Sequence, residues 1–180
     1  MSSAVRQPWM PPEEYLTYER TSDVRHEYVD GEVYAMVGGS LRHNEIAGNI
    51  FAALRPAARE RGCRTYMSDA KVRVEKANAY YYPDVVVTCD PPANDRYVVH
   101  APSLVVEVLS DSTERIDRTE KRANCQTIPS LREYVLVAQD ERRVEVYRRR
   151  DGVWLHEVVT EGEVTLETVG ATLALDDVYA

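Results

Sequence analysis

Two runs of residues decide the fold, Tyr82-Pro83-Asp84-Val85-Val86-Val87 and Leu104-Val105-Val106-Glu107-Val108-Leu109-Ser110. Both are short, rich in valine and bounded by turn residues, which is typical of buried strands. Asp84 leads into the first strand, and Glu107 interrupts the middle of the second. Because side chains alternate along a strand, Glu107 shares one face with Val105 and Leu109.

A glutamate among such neighbours needs a partner, since burying an ionised carboxylate without compensation is very costly. A structural ion pair is one interpretation. A divalent metal ion shared between Glu107 and Asp84 is the other. The strands themselves leave both open.

The order Pro-Asp, strand, loop and Glu on the next strand resembles the PD-(D/E)xK nuclease superfamily, and the chain is similar within it to the bacterial Uma-two family of restriction endonucleases. The resemblance covers roughly residues 12–154. It is carried by Glu27-Tyr28-Val29-Asp30-Gly31-Glu32, Pro83-Asp84, Glu107-Val108-Leu109-Ser110, Ser112-Thr113-Glu114, Asp117, Lys121, Pro129-Ser130-Leu131 and Glu133-Tyr134.

Two positions depart from the pattern. The superfamily's Glu-x-Lys has Leu109 where its lysine belongs, and Cys125 stands where the family usually has tyrosine. We expect Lys121 to replace the missing lysine from the following helix. The residue-level alternative is an exposed ion pair between Asp117 and Lys121, which are four residues apart and so share a helix face.

The resemblance implies an α/β (α+β) fold of the restriction-endonuclease type, with a mixed central sheet, flanking helices and additional antiparallel hairpins. It implies a DNA endonuclease that depends on Mg²⁺, or on Mn²⁺, and that pairs as a homodimer. The metal ligands would be Asp84 and Glu107. The implied catalytic set is Asp84, Glu107, Lys121 and Glu27, with His43 and Asp117 as accessory residues. His43 also has a plainer interpretation, as a capping or packing residue at a helix N-terminus.

Length and composition predict one domain spanning residues 1–180, with residues 1–11 as a flexible arm. No run approaches the ~18 apolar residues of a membrane helix, and residues 1–7 lack the apolar core of a signal peptide. The three cysteines are scattered and odd in number. We therefore expect reduced thiols, no disulfide framework, no zinc site and a cytoplasmic location.

Local patterns predict the remaining elements. Asp30-Gly31 indicates a hairpin within residues 25–37. Residues 41–61 are helical in pattern, with Ser40 as cap, Pro56 as a kink or break and Gly62 as the stop. Residues 113–126 form a second helix, residues 90–102 a loop and residues 134–159 a meander. Tyr80, Tyr81 and Tyr82 fit either core packing or base stacking, and packing is the commoner role.

A net charge of −8 is unusual for a protein that binds nucleic acid. The dense basic cluster is Arg142, Arg143, Arg148, Arg149 and Arg150. It predicts either a solvated sheet edge or a phosphate-contacting face. Two other functions therefore stay open: a non-catalytic protein-interaction domain that retains the nuclease fold, and a hydrolase of a smaller phosphate ester.

Overall fold

The structure is a computed structural model that describes residues 9–91 and 95–180. Most of the predicted N-terminal arm therefore lies outside the described residues. The helices are α1 (Pro12–Glu19), α2 (Leu41–Glu60), α3 (Glu114–Ile116), a π-helical segment (Asp117–Lys121), α4 (Arg122–Cys125) and α5 (Leu175–Val178). The last three elements before Gln126 follow one another without a break, so α3, the π-helical segment and α4 form one continuous helix, here called the site helix.

The strands are β1 (His26–Val29), β2 (Glu32–Ala35), β3 (Arg64–Met67), β4 (Lys71–Val74), β5 (Ala79–Tyr81), β6 (Val85–Thr88), β7 (Val98–Val99), β8 (Leu104–Val108), β9 (Glu133–Val137), β10 (Val144–Arg150), β11 (Val153–Val159), β12 (Glu163–Leu166) and β13 (Ala171–Ala174). They form a six-stranded sheet in the order β11-β10-β9-β8-β6-β3, a five-stranded sheet in the order β2-β1-β5-β4-β7, and the ribbon β12-β13. The predicted mixed α+β fold is confirmed, although the strands divide between two larger sheets.

The six-stranded sheet is mixed, because β8 and β9 are parallel while its other pairs are antiparallel. One face packs on α2 through Ile46, Ile50 and Leu54. The other face packs on the end of the site helix and on the five-stranded sheet. Val105 and Leu109 belong to this second face, so the alternation predicted for β8 holds.

The helix at residues 41–60 begins as the sequence predicts, since the Ser40 hydroxyl oxygen accepts a hydrogen bond from the His43 N–H at 3.0 Å. Gly62 has the left-handed conformation of a helix stop, with φ of 73°. Pro56 lies inside α2, which continues through it to Glu60. The predicted break therefore does not occur, because buried residues on both sides of Pro56, Leu54 and Ala58, hold the helix on the core.

Two predictions about local structure need correction. The segment 90–102 contains the short strand β7, which pairs in parallel with β4. Cys63 and Cys89 form a disulfide, so the prediction of reduced thiols without a disulfide is wrong. These cysteines directly flank β3 and β6, and the register that pairs Arg64 with Thr88 brings them side by side. Cys125 is free and buried.

The described residues contain no helix of the length and apolar character that crossing a lipid bilayer requires.

Candidate active site

Asp84 and Glu107 meet where the two larger sheets join. Val85 pairs with Val106 in the antiparallel β6–β8 ladder, so the next step of the ladder places Asp84 opposite Glu107. The Val108 N–H donates a hydrogen bond to Asp84 Oδ2 at 2.7 Å. The strand pairing therefore fixes both carboxylates at one end of the sheet.

Glu107 is buried, with 3% of its surface exposed. Its Oε1 lies 2.9 Å from Lys121 Nζ, yet no donor among the described residues makes a well-directed hydrogen bond to that oxygen. The contact is therefore an ion pair without a well-directed hydrogen bond. Glu107 Oε1 keeps the capacity to accept one. Burial raises the pKa of Glu107 well above its usual value, and the nearby Asp117, Asp84 and Glu27 add to the rise against the opposing effect of Lys121.

Lys121 reaches the site from the π-helical segment. Its Nζ lies 2.8 Å from Glu27 Oε1, 2.9 Å from Glu107 Oε1 and 3.7 Å from Asp117 Oδ1. The side chains of Lys121 and Asp117 are each 5% exposed, so the interpretation of a solvated surface pair is wrong. Burial alone would lower the pKa of Lys121, but the three carboxylates outweigh it and raise that pKa. The ammonium therefore stays charged.

Glu27 joins the first hairpin to the site. It lies on β1, and its Oε1 accepts hydrogen bonds from Lys121 Nζ and from the Tyr82 N–H, at 2.8 and 3.0 Å. One carboxylate thus holds the ammonium and the backbone two residues before Asp84. These contacts link β1 of the five-stranded sheet to the site helix and to the segment that leads into β6.

His43 enters the site from the first turn of α2. Its Nε2 lies 3.3 Å from Asp84 Oδ2. The hydrogen bond to Asp84 raises the pKa of His43, against the opposing effect of burial. The structure therefore brings the His43 ring to the carboxylates. The His43 backbone N–H also donates to the Ser40 hydroxyl that caps α2.

Tyr81 also contributes to the site, a role that its sequence context did not predict. The Lys121 ammonium lies 5.4 Å from the centroid of its ring, so the face of the ring covers the cation. Tyr81 is buried, and its hydroxyl accepts a hydrogen bond from Asn124 of the site helix. The signal was present in the three tyrosines before Pro83, but their alternation sends only the middle one to this face.

The arginine cluster at residues 142–150 does not form one basic face. Arg142 pairs with Asp176, Arg143 with Glu145, and Arg150 with Glu167. Arg148 pairs with Glu133, Glu157 and Glu167. Arg149 points the other way, donating to the carbonyls of Gln126 and Pro129 and lying over the ring of Trp154. These contacts favour the structural interpretation of the cluster.

The site thus holds four carboxylates, those of Glu27, Asp84, Glu107 and Asp117, against the one ammonium of Lys121 and the imidazole of His43. Hard oxygen donors of this kind suit Mg²⁺ or Mn²⁺. Within residues 9–91 and 95–180, no three acidic, histidine or cysteine side chains converge closely enough to form a complete metal cage. Asp84 and Glu107 are the two carboxylates that could hold such an ion, together with water and substrate oxygens, which is the usual arrangement for Mg²⁺.

Comparison with known proteins shows the family to which the chain is related. The family model Uma2, described as "Putative restriction endonuclease", matches residues 12–176. Two proteins of Synechocystis sp. are similar: slr1290 is 35% identical over 175 residues, covering 96% of this chain and 92% of its own. The second, sll1609, is 34% identical over 146 residues, covering 79% of this chain and 82% of its own. Both are described as uncharacterized.

Among solved structures, a "putative nuclease" of Anabaena variabilis from the family DUF820 superposes with a TM-score of 0.78 at 18% identity. The superposition covers 94% of this chain and 97% of that one, and it shows a shared fold. The match to the family model extends over nearly the whole chain, and the chain belongs to the Uma2 family.

Proposed function

We propose that this protein is a metal-dependent DNA endonuclease whose site is built on Asp84, Glu107 and Lys121. The single observation that carries the proposal is the buried Lys121 ammonium, which lies 2.9 Å from Glu107 Oε1 although it comes from a different element. The usual Glu-x-Lys places its lysine on the strand, and here Leu109 occupies that position. Lys121 supplies the missing charge from the site helix.

The carboxylate pair has the donor set for Mg²⁺ or Mn²⁺. Asp84 and Glu107 would hold the ion, and the incompletely bonded Glu107 Oε1 is an available ligand atom. When bound, such an ion neutralises phosphoryl oxygens and lowers the pKa of a bound water. The excess of carboxylates over cations favours binding of a divalent ion, because that ion relieves their mutual repulsion.

The other residues orient and balance this pair. Lys121 presents a fixed positive charge where negative charge develops on the phosphoryl group, and Glu27 and Asp117 hold its ammonium in place. His43 orients the Asp84 carboxylate through its ring nitrogen. Tyr81 and Cys125 exclude water from the apolar side of the site.

A cleavage assay tests this proposal. Supercoiled and linear duplex DNA would be incubated with the protein and Mg²⁺, Mn²⁺ or EDTA. We expect cleavage only with metal, and its loss in Asp84→Asn, with Asp111→Asn as the control because that carboxylate is exposed on the adjoining loop. Metal binding without cleavage of DNA, but with hydrolysis of a small phosphodiester, would support the smaller-ester hydrolase instead. No metal binding and no hydrolysis would support the interaction domain.

We also propose a homodimer, as the resemblance implies. Strand β11 ends the six-stranded sheet and exposes Val153, Leu155 and Val158, which suits an interface between two copies. Light scattering at micromolar concentration should report twice the mass of the chain. A single species of about 20.5 kDa would contradict the dimer.

A further inference from the structure

Lys71 is a buried cation outside the candidate active site. It begins β4, and 8% of its surface is exposed. Its Nζ donates a hydrogen bond to the Tyr82 hydroxyl at 3.0 Å and lies 5.1 Å from the centroid of the same ring. Within the described residues no carboxylate forms an ion pair with this ammonium, so a buried charge is balanced directly only by a neutral phenol. Such a charge is costly unless something else satisfies it.

The Glu19 carboxylate, on the other side of the Tyr82 hydroxyl, already has hydrogen-bond partners. Glu19 Oε1 accepts hydrogen bonds from the His26 N–H at 3.0 Å and from the Tyr82 hydroxyl at 2.8 Å. Glu19 Oε2 lies 3.0 Å from His26 Nδ1. Glu19 therefore forms no ion pair with Lys71 and is joined to it by hydrogen bonds through the Tyr82 phenol. Two of the three ammonium N–H groups have no partner within the described residues.

Two exposed arginines contact neighbours of Lys71: Asp69, two residues before it, and Tyr97, whose carbonyl accepts a hydrogen bond from the Lys71 backbone N–H at 3.3 Å. Arg25 pairs with Asp69 at 2.7 Å, with both side chains more than half exposed, so that pair is readily exchanged for another anion. The Arg20 guanidinium lies 5.8 Å from the ring centroid of Tyr97. Burial lowers the pKa of Lys71, and Arg20 and Arg25 lower it further while Glu19 and Asp95 oppose them. Lys71, Arg20 and Arg25 therefore lie around the start of β4.

This region adjoins the candidate active site. Tyr82 precedes Asp84 by two residues, and its N–H donates to Glu27 of the site. The Ser68 N–H, in the turn that leads to Lys71, donates to the Asp84 carbonyl at 3.1 Å. Arg25 likewise precedes Glu27 by two residues. Lys71, through Tyr82, and Arg25, directly before β1, thus adjoin the segments that hold Asp84 and Glu27.

We propose that Lys71, Arg25 and Arg20 form an anion subsite that binds a backbone phosphate of the substrate nucleic acid, next to the phosphate at Asp84 and Glu107. The inference rests on the proposed function and names the surface that the substrate backbone follows. A phosphodiester oxygen would accept from the two N–H groups of Lys71 that have no partner in residues 9–91 and 95–180, while the two arginines contact the same phosphate or its neighbour. The arginines at residues 142–150 are poor candidates for this role because their charges are already paired.

The first arm of the test measures binding of a labelled 20-base-pair duplex by fluorescence anisotropy with Ca²⁺ present, over a range of salt concentrations. The Arg20→Ala/Arg25→Ala variant changes two exposed arginines. Its matched control, Arg142→Ala/Arg150→Ala, removes the same charge from two exposed arginines that pair with acids. We expect Kd to rise about 10-fold and the salt slope to fall by up to ~2 units in the first variant. The control should change Kd less than ~2-fold. Equal effects in the two variants would overturn the subsite.

The second arm separates a phosphate ligand from a merely structural lysine. Lys71→Met keeps the length of the side chain and removes its charge, so its Tm should equal or exceed that of the wild type if the ammonium is uncompensated. Inorganic pyrophosphate should raise the Tm of the wild type and of the control but not of Lys71→Met. A lower Tm in Lys71→Met with an unchanged response to pyrophosphate would assign Lys71 to the fold alone and overturn the proposal.

The two arms also distinguish this inference from the proposed function. If no salt-dependent binding of the duplex occurs in the wild type, the proposed DNA substrate fails. The subsite is then decided by pyrophosphate, whose effect must disappear in both Lys71→Met and Arg20→Ala/Arg25→Ala. If pyrophosphate acts equally on every variant, the subsite fails too.

Discussion

The Lys121 ammonium contacts the carboxylates of Glu107, Glu27 and Asp117. Removing this charge should change both the stability of the protein and its turnover. Lys121→Met leaves buried carboxylates without their cation, so we expect the free energy of unfolding to fall by about 3–5 kcal/mol without metal. Urea unfolding followed by circular dichroism measures this change. If the proposed chemistry holds, turnover at saturating Mg²⁺ should fall by ~10²–10³.

Lys121→Arg separates charge from geometry. It retains the positive charge, but a planar guanidinium does not replace a compact ammonium among three carboxylates. We expect it to recover most of the lost stability and little of the turnover. Wild-type turnover in a folded Lys121→Met would show that the lysine does not act in catalysis, and it would favour the domain that no longer cleaves.

Glu145 offers a prediction about pH that does not involve the site. Burial alone would raise its pKa, but hydrogen bonds from Arg118, Arg143 and His156 lower it to about 2. Because the folded-state pKa lies below the ordinary value of 4.5, Glu145 stabilises the fold fully above about pH 4.5. That contribution is lost as the pH falls toward 2.

Glu145→Gln should therefore lower the free energy of unfolding by roughly 3 kcal/mol at pH 7. The difference from wild type should shrink steadily below pH 4.5 in urea titrations. The control is Glu157→Gln, which alters an exposed carboxylate of the adjacent strand. It should change the free energy of unfolding by less than ~1 kcal/mol at both pH 7 and pH 3. A difference for Glu145→Gln that is constant from pH 7 to pH 3 would contradict the assignment.

The strand patterns predicted that Asp84 and Glu107 border buried strands, but they did not predict the contacts at the site. The roles of Lys121, Glu27 and His43 were implied by the family resemblance, because the spacing of Lys121 to Asp117 by itself indicated only a surface ion pair. The contact between Lys121 and Tyr81 could not be predicted, since it depends on how the five-stranded sheet sits over the site helix. The pairing of each arginine at residues 142–150 depends in the same way on strands distant in sequence.

At the scale of elements, the site helix carries its functional residues on a π-helical turn. The segment Asp117–Lys121 lies between two α-helical segments, and such insertions occur often at functional sites. The sequence correctly placed Asp117 and Lys121 on one face, because both helix types bring residues four apart close together. No local sequence pattern predicts the wider π-helical turn. The turn carries the buried Lys121, whose ammonium contacts Glu107 of β8.

The strand register also explains where the cysteine prediction failed. Counting cysteines could not reveal that Cys63 and Cys89 directly flank a paired β3 and β6. Because Cys63 and Cys89 are paired, denaturation without reductant should expose one reactive thiol per chain, that of Cys125. Ellman titration before and after treatment with dithiothreitol measures this number.

Reduction should also lower the stability, because a crosslink between residues 26 apart restricts the unfolded chain by about 3 kcal/mol. The Cys125→Ser variant is the control, since its loss of one thiol should leave the effect of dithiothreitol unchanged. Three reactive thiols before reduction would contradict the pairing of Cys63 with Cys89 and would restore the expectation of reduced thiols in a cytoplasmic protein.

For the molecule as a whole, the distribution of charge matters more than its sum. The net charge of −8 includes four carboxylates concentrated at the sheet junction. Many of the exposed arginines at the opposite sheet edge are neutralised by neighbouring acids. A divalent ion at the junction would reduce the local repulsion, and binding of that ion to the folded state should raise the Tm.

Calorimetric titration of the metal-free protein with Mg²⁺ and with Mn²⁺ tests whether Asp84 and Glu107 form a metal site. The comparison needs the Asp84→Asn/Glu107→Gln variant and the Asp111→Asn/Glu114→Gln control, which removes two exposed carboxylates from the following segment. We predict saturable binding at millimolar or lower concentration in the wild type and the control, lost in the Asp84→Asn/Glu107→Gln variant. The same weak binding in all three proteins would contradict the account.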